Sequence, residues 1–178
     1  MGIDCSSTTI GYCFLQINDD NDIIFLDCDY IKPIKSGSII DRLASTRDKI
    51  QSIINKQKPD VIAIEDIIQF MSGASTAKTI ITLTSFNRMI GLLAHDFLKK
   101  SPELFNVMTI RHGLKINKEL PKKEDIPELV AKHLNIKFPY QTNKKGNIKA
   151  ESYDMADGVA VALYCAFVLT KRLKGKKK

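Results

Sequence analysis

The sequence predicts an α/β fold: a mixed five-stranded sheet, with three antiparallel strands followed by parallel additions, and helices on both faces. Three observations carry that prediction. The first thirty residues read as extended runs broken by short polar turns, the pattern of an antiparallel meander. Val61-Ile62-Ala63-Ile64 is a short, continuously apolar run between turn signals, which is how a strand covered on both faces of a parallel sheet reads. Segments with apolar residues at helical spacing flank that run.

In chain order, residues 1–18 read as two strands joined at Ser6-Ser7-Thr8-Thr9, and residues 23–29 as a third strand after the turn Asn18-Asp19-Asp20-Asn21. Ile40, Leu43, Ile50, Ile53 and Ile54 repeat at helical spacing, so residues 40–54 should form an amphipathic helix, ended by Lys58-Pro59-Asp60. The apolar run at 61–64 is the fourth strand, with Glu65 at its end. A long apolar helix is expected over 74–98, a fifth strand over 105–110, a basic linker after it, and a helix over about 123–134. Residues 140–150 are polar, lysine-rich and contain Gly146, which predicts a mobile loop. The last helix is expected over about 152–173, with Val159, Leu163, Ala166, Phe167 and Thr170 facing inward.

A chain of 178 residues with 44% hydrophobic content is enough for one core without staples. The expected organisation is a single domain over 1–173 and a basic tail over 174–178. Cys5, Cys13, Cys28 and Cys165 are far apart, with no CxxC pair, and read as buried reduced thiols rather than a zinc or disulfide framework. No basic leader precedes Gly2-Ile3-Asp4, and no stretch reads as long enough to span a membrane, so a cytoplasmic protein is expected. Net charge is +7, with a pI near 9.2. The basic residues gather from Arg111 onward, whereas the first third is rich in Asp. Such a balance fits a polyanionic partner as well as it fits a solvated basic face.

The acids that could do chemistry are Asp4, Glu65, Asp154 and Asp157. Asp154 and Asp157 are spaced i, i+3, so on a helix their carboxylates share a face and can converge on one cation. Asp4 and Glu65 lie in apolar strands, where an ionised carboxylate is costly unless paired or metal-bound. Together they would make an all-oxygen site suited to hard Mg²⁺ or Mn²⁺. Each has an ordinary alternative: Asp4 in a turn with Ser6 and Ser7, Glu65 at a strand boundary, and Asp154 or Asp157 as first-turn acids on a helix dipole.

The joint arrangement resembles the RuvC Holliday junction resolvases. Gly2-Ile3-Asp4-Cys5-Ser6-Ser7 is similar to their opening Gly-Ile-Asp-Pro-Gly-Ser, with Cys5-Ser6 in place of Pro-Gly. Pro59-Asp60-Val61-Ile62-Ala63-Ile64-Glu65 resembles their second motif, and Asp154-Met155-Ala156-Asp157-Gly158-Val159-Ala160 their closing one. The resemblance implies an RNase H-like fold, a homodimer, four-way DNA junctions as substrate and a branch-migration helicase as partner. It makes Asp4, Glu65, Asp154 and Asp157 the catalytic, metal-holding carboxylates for two Mg²⁺ ions, with Mn²⁺ as substitute. Asp4 would bridge the ions, Glu65 would complete one shell, and Asp154 with Asp157 the other, giving 5′-phosphate and 3′-hydroxyl ends.

It also points to Lys115, Lys122 and Lys123 as phosphate contacts. Phe70 becomes a wedge against a distorted base pair, one position later than the family's aromatic, with a core or dimer-interface position as its alternative. The helix over 74–98 is the expected dimer interface. The competing functions are an RNase H-like nuclease acting on forks, flaps or RNA–DNA hybrids, and a non-catalytic nucleic-acid-binding module. An actin-like ATPase, suggested by the turn after Asp4, would need a second domain and glycine-rich phosphate loops that a chain of this length lacks.

Overall fold

The computed structural model describes the backbone of residues 1–67, 76–116 and 118–176, and the side chains among them as far as Lys171. The first three strands, β1 (Gly2–Asp4), β2 (Ile10–Ile17) and β3 (Ile23–Ile31), form the expected antiparallel meander. β4 (Ala63–Asp66) pairs with β1 in parallel, and β5 (Glu103–Asn106) pairs with β4 in parallel. The sheet order is β3-β2-β1-β4-β5, so the chain's first strand lies at the centre.

One face is covered by α1 (Ile39–Gln57) and α2 (Ala77–Leu98). Ile50, Ile54, Phe86 and Ile90 from these helices meet Ile3, Ile10 and Ile64 from the strands and Ile62 just before β4. Truncating a side chain as fully enclosed as Phe86 would cost about 3–5 kcal/mol. Ser38 and Asp41 form a capping box at the start of α1, and Thr76 caps α2, each cap contributing about 1 kcal/mol. The opposite face is covered by α3 (Val107–Leu114), α4 (Ile126–Leu134) and α5 (Glu151–Lys176), with α5 lying over β1 and β2. The four cysteines are free and buried, as the sequence predicts.

Several boundaries differ from expectation for local reasons. The fourth strand begins at Ala63 rather than Val61, so Glu65 lies within it. The predicted strand over 105–110 becomes β5 up to Asn106 and then a helix. Asn106 accepts a hydrogen bond from the Met108 amide as the N-cap of α3, and Ile110 and Leu114 repeat at i, i+4 into the core. The helix expected over 123–134 opens with a single 3-10 turn, Lys123–Asp125, before α4, with Pro127 in the first turn, where no intrahelical amide donor is needed. The last helix runs to Lys176, so the expected basic tail begins as its final turn.

The segment 140–150 is a loop, as expected, closed by an isolated bridge between Thr142 and Ile148. One expectation is corrected: the reading that no stretch is long enough for a membrane span fails, because Glu151–Lys171 of α5 is long and apolar enough by length and composition. Its apolarity has a different cause: 61% of that stretch is buried, with Val159, Val161 and Leu163 inside the core beneath the sheet.

Candidate active site

The acids converge because the helix is allowed close to the sheet. A Cβ on Gly11 would lie 1.8 Å from the Asp154 carbonyl oxygen, and one on Gly158 would lie 2.7 Å from the Gly11 carbonyl carbon. Only the bare backbones of β2 and α5 fit there, and that contact sets the first two turns of α5 over the end of β1. Asp4 closes β1, and Asp154 and Asp157 share the facing side of α5. A carboxylate oxygen from each of the three lies within 4.8 Å of the others, a group of acids able to hold a metal ion.

Glu65 is not part of that tight group, but it comes from the parallel neighbour β4 and acts on the same field. Its position is held by α2: the buried Asn87 donates its side-chain amide to the Glu65 carbonyl oxygen at 2.8 Å. On the other side of Asp4, the turn Ser6–Thr9 is closed by the Ser6 hydroxyl, which accepts from the Thr8 and Thr9 amides. Arg42 of α1 donates to the Ser7 carbonyl oxygen at 2.7 Å and lies over the Phe86 ring, tying this turn to the core. Thus Ser6 and Ser7 do make a turn after Asp4, and the turn coexists with Asp4 facing the helical acids.

The electrostatics follow from burial and crowding. Asp4 is held well above the usual carboxylate range, first by burial and then by the charges of Glu65 and Asp157. Burial, with Asp157 adding repulsion, pushes Glu65 up to about 7. Asp157 is raised mainly by burial, against the pull of Lys123. Such a set of partly buried acids, crowded together with oxygen ligands only, fits a hard divalent cation.

Lys123 lies among these acids. Its ammonium donates to Asp154 Oδ1 at 2.8 Å and sits 3.3 Å from Asp157 Oδ2. Burial alone would lower its pKa, but the hydrogen bond to Asp154 and the charges of Asp157, Asp154 and Asp4 outweigh this and hold it raised. Of the three lysines singled out in the sequence, Lys123 pairs with the acids, whereas Lys115 and Lys122 are exposed and carry no ion pair among the described residues. Phe70 lies outside the described residues. Sequence reasoning passed over Arg111, on α3, whose charge lowers the pKa of both Glu65 and Asp157. Its signal was its position, the first cation after β5 and the start of the basic half of the chain.

Comparison with known proteins agrees with this geometry. The family model described as crossover junction endodeoxyribonuclease RuvC matches residues 1–165. The chain is 26% identical over 163 residues to the protein of that name from Prochlorococcus marinus, covering 92% of this chain and 94% of the relative. It is 27% identical over 136 residues to the one from Fusobacterium nucleatum, covering 76% and 68%. Among solved structures, Thermus thermophilus RuvC in complex with Holliday junction substrate superposes with a TM-score of 0.71 at 16% identity, covering 96% of this chain and 94% of that one. The yeast mitochondrial Holliday junction resolvase Ydc2 does so with a TM-score of 0.63 at 17% identity, covering 93% and 76%. The fold is therefore RNase H-like, and with the family match spanning nearly the whole chain, this protein belongs to the RuvC family of crossover junction endodeoxyribonucleases.

Proposed function

We propose that this endonuclease resolves four-way DNA junctions by hydrolysing a phosphodiester at the site built from Asp4, Glu65, Asp154 and Asp157. The observation that carries the reading is the convergence of carboxylates from the first strand and the last helix within 4.8 Å. Divalent-metal dependence accompanies the family, and the all-oxygen donor set favours Mg²⁺, with Mn²⁺ as substitute and two ions per site. Asp4, Asp154 and Asp157 would hold the cations, with Glu65 beside them. When bound, such ions stabilise charge on the phosphoryl and leaving oxygens and make the attacking water more acidic.

The chain's own groups do the rest. Asp154 and Asp157 accept hydrogen bonds from the attacking water and orient it. Lys123, already positioned among the acids, offers its cation to the phosphate that enters, and Arg111 adds positive charge on the side of Glu65. Asn87 holds the end of β4 in place. The products are a 5′-phosphate and a 3′-hydroxyl. Lys115 and Lys122, both exposed, contact flanking phosphates, and Phe70, four residues beyond Asp66, serves as the wedge at the distorted base pair.

Paired symmetric nicks need two sites, and a homodimer supplies them. Support for a dimer comes from α2, where Ile81 and Leu92 are 64% and 67% exposed, a costly arrangement for large apolar side chains in water. The unit is a single nuclease domain over 1–173, acting on DNA in the cytoplasm with a branch-migration helicase as partner.

The test is cleavage of an end-labelled synthetic four-way junction beside a fork, a linear duplex and an RNA–DNA hybrid, with Mg²⁺ or EDTA. Wild type should nick the junction symmetrically and only with metal. Asp4→Asn should lose about 10³-fold in rate, on the order of 4 kcal/mol at the barrier. Cleavage of the other substrates alone would overturn the junction assignment, and binding without cleavage would overturn the nuclease.

A further inference from the structure

The segment between α4 and α5 is built more firmly than its composition suggests. Asn143 to Gly146 forms a tight turn, with the Gly146 amide donating to the Asn143 carbonyl at 2.9 Å. Gly146 then takes φ +81°, and the Asn143 amide donates to the Asn147 carbonyl at 2.8 Å, the arrangement of a three-residue hairpin loop closed by a left-handed residue. The Asn143 side chain accepts from the amides of Lys145 and Asn147 and braces the turn from inside. At the base, the Lys149 amide donates to the Gln141 carbonyl. The buried Ser152 hydroxyl accepts from the Gln141 amide and donates to its carbonyl.

That last pair is the important link. Ser152 lies in the first turn of α5, two residues before Asp154, so the hairpin is stapled to the helix end that carries two of the acids. Lys32, following β3, adds a second tie through its ion pair with Glu151. At the tip, Lys144 and Lys145 are exposed and form no ion pair among the described residues, and the space around Gly146 is open. From the staple at Gln141 to the tip is three to four residues, about 10–13 Å of extended chain. At about 3.4 Å per phosphate along one strand, that spans about three to four nucleotides.

Two adjacent cations without an ion pair among the described residues, on a hydrogen-bonded hairpin fixed to the acid-bearing helix, are unlike lysines scattered over a solvated face. We infer that Lys144 and Lys145 form a preorganised clamp on the DNA backbone, gripping phosphates of a strand that leads away from the position cut by the acids. The clamp supplies affinity and register rather than chemistry, because lysine contacts to phosphates carry no base information. This inference rests on the nuclease reading above.

Binding of the full-length protein to a synthetic four-way junction and to a linear duplex, followed across a salt series in EDTA, tests it. Lys144→Gln with Lys145→Gln should weaken junction binding about tenfold at physiological salt. The slope of log affinity against log salt should become shallower by about 1.8, two contacts at about 0.9 each. With Mg²⁺, the nicking rate at saturating enzyme should stay at the wild-type value while the half-saturation concentration rises by the same tenfold. Lys56→Gln with Lys100→Gln removes equal charge from the last turn of α1 and from just beyond the C-cap of α2, helices that cover the sheet face opposite α5, and should leave the slope unchanged. Asn143→Ala keeps both charges but loosens the turn, and should lower affinity with the slope preserved. If wild type binds the junction and the double variant matches it in affinity and slope, or if the remote pair has the same effect, the clamp is overturned and the nuclease reading stands. If wild type binds neither DNA, both fall together.

Discussion

Two regions of this protein are rich in carboxylates, and they behave in opposite ways. Around the β2–β3 hairpin, Asp19, Asp20 and Asp27 are exposed, and Asp22 is occupied locally by hydrogen bonds with Asn18. At the other end of the molecule, Asp4, Glu65, Asp154 and Asp157 are partly buried, and burial together with mutual repulsion raises Asp4, Glu65 and Asp157. The first region carries more Asp in a shorter stretch of sequence, yet among the described residues no three of its carboxylates gather closely enough to hold a metal ion. Acid count therefore says little about function. What marks a metal site is that the fold holds unlike segments' carboxylates together at a cost the folded core sustains.

The comparison can be broken most severely at Lys123, the cation that answers the crowded acids. Lys123→Gln should reduce junction nicking by about 10²-fold, measured under single-turnover conditions. It should leave Asp4, Asp154 and Asp157 able to bind Mn²⁺ in a calorimetric titration. A variant with wild-type rates would mean that the lysine merely neutralises the metal-free site.

The next effect concerns the approach that creates the crowding. Gly158→Ala places a methyl against the Gly11 backbone and should cost about 1–3 kcal/mol in denaturant unfolding. Because α5 must then move off β2, metal affinity should fall with it. Loss of stability with unchanged metal affinity would separate the close contact from the site.

A smaller effect is the pH dependence of the metal-free protein. Glu65 has a folded-state pKa of about 7, above the ordinary value of 4.5. The folded state thus binds its proton more tightly than the unfolded chain does. The stability this contributes is fully present below about 4.5 and is lost as pH rises through about 7. Thermal unfolding in EDTA should show a lower melting temperature at pH 8 than at pH 6. Glu65→Gln should flatten that difference, and Mg²⁺ should offset it. The hairpin acids set the baseline: Asp27→Asn should change stability by about 0.5 kcal/mol or less and leave nicking untouched. A large effect there would overturn the contrast.

Much of the fold could be read directly, because periodicity and burial are local consequences of one another. The meander, α1, the buried run leading to Glu65 and the inward face of α5 follow from apolar spacing, and Val159, Leu163 and Ala166 are buried as expected. The boundary after β5 could not be read that way. Phe105 to Ile110 is compatible with strand or helix until the Asn106 side chain caps Met108 and commits the chain to α3. The hydrogen bonding within the loop at 140–150 was hidden for a related reason, since it comes from one asparagine and one buried serine rather than from hydrophobic pattern.

The site divides along the same line. Motif order, the i, i+3 spacing of Asp154 and Asp157 and the resemblance they carry nominate the four acids, whereas the basic second half of the chain is compatible with a polyanionic partner or with a solvated face. Only the tertiary structure separates Glu65 from the tight triad, draws Lys123 in among the acids while Lys115 and Lys122 stay outside, and brings Arg111 into their field. Spacing along a chain constrains neighbours on one element, whereas distances between β1, β4, α3 and α5 depend on how closely backbones pack, and here two glycines decide that.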